Sequence, residues 1–116
     1  MEKQDHELAN GKVAFERGEF GPALSYLLPL AEKGNAQAQC YVAAMFQSGL
    51  GVEIDGGLAV EWYLRAAEQG EKRDNISGVA FHNLATIFVT GLPGVIPDKD
   101  RAAKYRREAV LLGVKF

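Results

Sequence analysis

Three times along this chain an alanine is followed three residues later by an aromatic ring. A small or apolar pair comes one turn further on, and then a glycine. The copies are Ala23-Leu24-Ser25-Tyr26 with Leu30-Ala31 and Gly34, Ala59-Val60-Glu61-Trp62 with Ala66-Ala67 and Gly70, and Ala102-Ala103-Lys104-Tyr105 with Ala109-Val110 and Gly113. They lie 36 and 43 residues apart, the spacing of helical repeat units. A second element precedes each copy. Ala14-Phe15-Glu16-Arg17-Gly18, Ala44-Met45-Phe46-Gln47-Ser48-Gly49 and Thr86-Ile87-Phe88-Val89-Thr90-Gly91 all place glycine three residues after phenylalanine. Glycine takes the left-handed conformation that ends helices, so each copy reads as two helices with a stop after each.

The spacing predicts helices near 6–17, 21–33, 36–48, 56–69, 77–90 and 98–112. Ala38, Val42, Met45 and Phe46 recur at helical spacing, as do Ala80, Leu84, Ile87 and Phe88. No alternating stretch is bounded like a strand. Asp55 and Asp98 fit N-caps, where a carboxylate accepts from free backbone N–H groups. Pro22 suits a first helical position. Pro29 falls inside the second helix and predicts a kink, because it lacks an N–H and crowds the carbonyl of Ser25. Glu71 to Ser77 is an insertion between the second and third pairs, read as a solvated loop or extra turn, with a binding appendage as the alternative. The fold class is all-α, an α/α solenoid of about three antiparallel hairpins.

Composition narrows the function. With 116 residues, 47 % hydrophobic and 24 % charged, the chain suits one soluble domain over 1–116. No apolar run approaches the roughly 20 residues of a membrane span. Met1 to Glu7 is charged with no apolar stretch behind it, which predicts a cytoplasmic protein without a secretory signal. The single cysteine, Cys40, cannot close an internal disulfide. A net charge of -2 gives no general attraction to nucleic acid.

Beyond the periodicity, Gly34-Asn35-Ala36-Gln37-Ala38-Gln39, Tyr41 to Phe46, Gly49-Leu50-Gly51-Val52, Asp55, Ala59, Trp62, Ala66-Ala67 and Gly70 resemble one full Sel-one-like repeat of the tetratricopeptide-like class. His82-Asn83-Leu84-Ala85, Gly91, Gly94-Val95, Asp98, Ala102, Tyr105, Ala109 and Gly113 are similar. The leading hairpin is similar to a shorter opening repeat. The resemblance covers about 8–113, with hairpins near 6–34, 35–70 and 77–113. It departs at Val42-Ala43, where Leu-Gly is common, and at the insertion. Ala38, Ala43, Ala59, Ala66, Ala80, Ala85 and Ala102 then permit close helix approach, and Phe46, Trp62, Phe88 and Tyr105 supply large buried areas.

No catalytic set emerges. Cys40 and His82 occupy equivalent places on adjacent first helices, but no third group orients such a pair. No four-ligand cysteine and histidine set exists for zinc, and no cofactor is implied. The glycine pairs Gly49/Gly51 and Gly91/Gly94 lack the lysine and hydroxyl of a phosphate loop. Lys99, Arg101, Lys104, Arg106 and Arg107, interleaved with Asp98, Asp100 and Glu108, read as a solvated helix face, with a contact for an acidic partner or for nucleic acid as the alternatives.

The resemblance implies a protein or peptide groove on a concave face lined by the first helix of each pair. Its positions map to Gln37, Cys40, Ala44, Gln47 and Ser48, to Val79, His82, Thr86, Val89 and Thr90, and to His6, Ala9, Val13, Glu16 and Arg17. A second candidate surface is the apolar C-terminal end, Leu111, Leu112, Val114 and Phe116, which either docks on a partner or second copy or folds back over the last hairpin. The expected function is a non-catalytic interaction module. The alternatives are a small hydrolase of the β-lactam-binding kind known among cysteine-rich relatives, or a self-assembling structural protein.

Overall fold

Apolar residues at helical spacing, punctuated by glycines, produce six helices in the computed structural model, which describes residues 2–69 and 75–114. They are α1 (Glu2–Glu16), α2 (Phe20–Glu32), α3 (Ala36–Ser48), α4 (Gly56–Glu68), α5 (Ile76–Thr90) and α6 (Lys99–Leu111). Consecutive helices pack as the pairs α1/α2, α3/α4 and α5/α6, and α2/α3 and α4/α5 join the pairs into a stack. The expected all-α hairpin solenoid is therefore the observed fold, with each helix within a few residues of its expected bounds.

The ends follow from local chemistry. The Asp55 carboxylate accepts from Leu58 N–H (3.0 Å), and Asp98 accepts from both Asp100 and Arg101 N–H (3.0 Å each). Asn35 caps α3 in the same way through Ala38 N–H (2.8 Å). Gly34, with φ +102°, ends α2: its N–H reaches Ala31 O and the next N–H, of Asn35, reaches Leu30 O (3.0 Å each). That pair of bonds satisfies two carbonyls left open by the last turn. Gly70, expected to end α4, lies outside the described residues.

One proline expectation is modified, and the other, Pro29 inside the second helix, holds as to position. Helix α2 begins at Phe20, so Pro22 is its third residue and not its first. Its missing N–H still falls among the first four, which have no intrahelical partner. Pro29 lies inside α2 on an exposed face, and the helix continues through it to Glu32. Of the 71–77 insertion, residues 71–74 lie outside the described residues. Ile76 and Ser77 are the first turn of α5, and Ser77 is buried.

The core runs along the seams between helices. The seven alanines expected to permit close approach are all buried, and Trp62, Phe88 and Tyr105 are buried against them, with Phe46 half-buried at the margin. Stacked rings of Phe81 and Phe88 lie 5.9 and 5.8 Å from Tyr105 at the last pair. At the first, Phe15 meets Phe20 and Tyr41 edge-on at 5.4 and 5.0 Å. A polar clasp, buried at Gln39 and exposed at Gln69, joins three helices: Gln39 donates to Ala31 O (3.0 Å), and Gln69 donates to Gln39 Oε1 and Gly34 O (2.9 Å each).

The glycine-bearing connections lock one pair onto the next. Residues Leu92 and Val95 close a tight turn by exchanging backbone hydrogen bonds. That turn presents Pro93 O to the first N–H of α4, at Gly56 (2.8 Å). A Cβ at Gly56 would stand 2.6 Å from Pro93 O and 2.8 Å from Val95 Cγ2. The earlier connection repeats the contact, since a Cβ at Gly51 would stand 2.8 Å from Phe20 Cβ at the start of α2.

Gly56→Ala is therefore expected to destabilise the chain by about 1–3 kcal/mol through overpacking. At Gly57 an added Cβ would meet only Asp55 Oδ1, at 3.4 Å, and there alanine should stabilise by ~0.4–1 kcal/mol. Urea unfolding of the two variants checks the contrast, and equal stabilities would contradict it.

Candidate functional site

The second pair supplies one continuous polar-apolar face. Spacings of three, four, three and one put Gln37, Cys40, Ala44, Gln47 and Ser48 on one side of α3. The structure brings all five to the border of a single open hollow of about 540 Å³. Val79 and Asn83 of α5 line it from the neighbouring pair, and Phe15, Tyr41, Asn75 and Ile76 complete the lining. Tyr63 of α4 reaches the floor.

Tyr63 carries the electrostatic character of this floor. It is only 2 % exposed, and its hydroxyl donates to Gln47 Oε1 (2.7 Å). Burial raises the phenol above its ordinary value of 10.0, and the neighbouring Cys40 sulfur adds to the rise. With its oxygen held by Tyr63, the Gln47 carboxamide keeps its NH₂ as a donor toward the hollow. Tyr41 is also raised, first by burial and then by the Glu16 carboxylate. The walls otherwise carry the carboxamides of Gln37, Asn75 and Asn83 and no formal charge.

The other expected groove residues separate from this set. His82 does not border the hollow; its neighbour Asn83 does, one residue round the helix. Thr86, Val89 and Thr90 border a second hollow of about 460 Å³ with Ala103 and Arg106 of α6. Both threonine hydroxyls donate within their own helix, Thr86 to His82 O (3.1 Å) and Thr90 to Thr86 O (3.2 Å). Val13 and Arg17 border a third hollow, of about 310 Å³, with Pro22 and Tyr26. Glu16 is exposed beside Tyr41, and His6 and Ala9 are exposed on α1.

The C-terminal residues divide as well. Leu111 is 78 % exposed and Val110 53 %, whereas Leu112 and Val114 are half-buried. Those two fold back on α5, since a Cβ at Gly78 would stand 2.9 Å from Val114 Cγ2 and 3.6 Å from Leu112 Cβ. Phe116 lies outside the described residues. On α6, Lys99, Arg101, Lys104, Arg106 and Arg107 are all exposed. Arg101 lies 3.6 Å from Asp98 Oδ2 and over the Phe88 ring, and Lys104 lies over Tyr105.

Among the described residues, no three of His, Cys, Asp or Glu gather to hold a metal ion. No described helix is long and apolar enough to cross a membrane. Phe15, Tyr41, Tyr63, Asn75, Ile76 and Asn83 are hollow-lining residues that the spacing argument missed. The signal for Tyr63 was present, because it stands four residues after Ala59 and four before Ala67.

The repeated hairpins, their glycine-bearing connections and the first-helix face define a helical-repeat protein. The Sel1 repeat model matches residues 36–71 and 80–114, more than half the chain, and the chain belongs to that family. Among solved structures, a Sel1 repeat protein from Oxalobacter formigenes is similar at 28 % identity and a TM-score of 0.76, over 90 % of this chain and 40 % of that one. A protective antigen of uropathogenic Escherichia coli strains, displaying an SLR fold, is similar at 26 % identity and a TM-score of 0.79, over 96 % of this chain and 23 % of that one. This chain thus spans less than half the length of either. A search of the curated proteins finds no match.

The Tyr63 hydroxyl gives a pH test. An unfolded phenol ionises near 10.0, while the folded one is held protonated above that. The folded state then binds more protons, so this group's contribution to stability falls as pH rises past 10.0. Tyr63→Phe should cost ~0.5–1.5 kcal/mol at neutral pH. Its stability should then fall less than the wild type's between neutrality and about pH 11. Urea midpoints of both proteins across that range decide it, and parallel curves would count against a buried phenol.

Proposed function

We propose that this chain is a non-catalytic interaction module holding a peptide segment of a partner protein in the hollow between α3 and α5. The observation that carries this reading is the convergence of Gln37, Cys40, Ala44, Gln47 and Ser48 with Val79 and Asn83 around one uncharged hollow. Gln47 keeps its NH₂ as a donor, Asn83, whose NH₂ donates to Val79 O (2.9 Å), keeps its oxygen as an acceptor, and Gln37 offers both, so together they match the donors and acceptors of an extended or helical segment along α3. The half-buried Cys40 and Ala44 between them leave room for one apolar anchor side chain. Membership of the Sel1 repeat family supports the same reading, because such repeats generally serve as protein-interaction modules. The favoured segment is weakly charged, with an apolar residue flanked by small polar ones.

A displayed library of short random peptides tests the proposal against purified protein. Wild type should enrich sequences with one apolar anchor. Ala44→Arg, which places a long cation in the hollow, should weaken binding of those peptides by about tenfold or more, a loss of about 1.4 kcal/mol. Thr86→Arg, on a different hollow, should bind as wild type does. Far-UV circular dichroism of both variants confirms the helices. Undiminished binding by Ala44→Arg, or no enrichment by wild type, would overturn the assignment.

A further inference from the structure

The starts of α3, α4 and α6 carry side-chain caps, and the start of α5 carries none. Asp55 and Asp98 place a carboxylate on first-turn N–H groups of α4 and α6, and Asn35 caps α3 through its carboxamide oxygen. At α5 the cap position holds Asn75 in the left-handed conformation, φ +62°, and its side chain makes no cap bond. A helix start leaves donors open and favours negative charge. Among the described residues, α5 has no carboxylate to meet that demand.

A second observation points to the same place. Ser77, in the first turn of α5, is 2 % exposed, and its hydroxyl has no hydrogen-bond partner among the described residues. A buried hydroxyl left unpaired costs free energy, so this one calls for a partner from outside the chain. Ser77 borders a hollow of about 350 Å³ together with Asn35, Ala36 and Gln37 at the start of α3, Ile76 of α5, and Gln69 beyond α4. Two helix starts and a buried hydroxyl thus share one opening. Gln69 brings it no donor, because its NH₂ is spent on Gly34 O and Gln39 Oε1. None of the described residues around it is charged, and uncharged donors without a cation suit a single negative charge better than a phosphate dianion.

We propose that this hollow is a carboxylate-binding subsite, in which the Ser77 hydroxyl and the first-turn N–H groups around it donate to a ligand's carboxylate. It adjoins the larger hollow, since Gln37 and Ile76 border both. A peptide lying along α3 reaches it with a free C-terminus or with an Asp or Glu side chain. The source of the carboxylate rests on the peptide reading; the subsite itself does not.

Amide NMR of the full chain, titrated with acetate and with acetamide as its uncharged counterpart, tests it. Acetate should shift the Gln37 and Ser77 resonances to saturation and acetamide should not. The Leu58 and Arg101 amides, which already donate to Asp55 and Asp98, should stay in place. Ser77→Ala should weaken acetate binding by about tenfold, the worth of one hydrogen bond to a charged group. Its urea midpoint should be no lower than the wild type's, because the lost hydroxyl has no partner among the described residues. N-acetylglycine offers a terminal carboxylate and the α-amide of N-acetylaspartate a side-chain one, and the tighter of the two names the source. No saturable shift with acetate, an equal response to acetamide, acetate binding unchanged by Ser77→Ala, or a destabilised Ser77→Ala would each overturn the subsite, whatever the peptide library shows. Glu71 and Asp74, outside the described residues, are the chain's own competitors, and either one seated there would give the first of these results.

Discussion

The hydrogen bond from Gly56 N–H to Pro93 O holds the architecture in register. A helix N-terminus leaves four backbone donors without intrahelical partners, and at α4 two of them are met by different means. Asp55 takes Leu58 N–H from within the repeat, while Pro93 takes Gly56 N–H from the next one. Only a residue without Cβ lets that carbonyl approach, given the 2.6 Å an alanine Cβ would leave. The turn that presents Pro93 is in turn fixed at its far end by Asp98 N–H on Phe88 O (2.8 Å). Asp55 N–H on Phe46 O (3.0 Å) is the same bond one repeat earlier. The glycines of this sequence therefore set the distance between pairs as well as ending helices.

That distance decides the shape of the candidate site. With α5 held against α4 by the connection, the faces of α3 and α5 cannot close on each other, and the space between them is the hollow. Its floor is kept from collapsing by Tyr63, whose ring fills the seam while its hydroxyl engages Gln47. The glutamine clasp of Gln39 and Gln69 acts where α2, α3 and α4 meet, giving the buried Ala31 carbonyl and the exposed Gly34 carbonyl partners across a repeat boundary. The clasp uses polar side chains to join repeats where an apolar contact would leave backbone acceptors unmet, whereas Tyr63 and Gln47 join the two helices of one pair.

Most of the fold was legible because helix stops and caps are local. Gly34, Asp55 and Asp98 act within a few residues of themselves, and their chemistry is visible in the sequence. The α3 half of the site was legible for the same reason, since five residues on one face of one helix depend only on helical pitch. The α5 half was not. Whether Asn83 or His82 faces α3 depends on a rotation of one residue about the helix axis, which packing against α4 sets. The fold-back of Leu112 and Val114 depends on the bare surface at Gly78, a glycine that marks no turn and so carried no local signal.

Thr86 and Thr90 show what repeat arithmetic contains and what it omits. They are the true counterparts of Ala44 and Ser48, and the alignment that paired them is correct. A repeat position specifies a surface on its own hairpin; the neighbour that covers that surface belongs to the next one. Where α5 follows, the position becomes a wall of the hollow over a buried tyrosine. Where no described helix follows, Arg106 stands in place of Tyr63, and its charge suits a surface in contact with water. The difference between tyrosine and arginine at one register position thus follows the difference between a surface packed under α5 and one that no described helix covers.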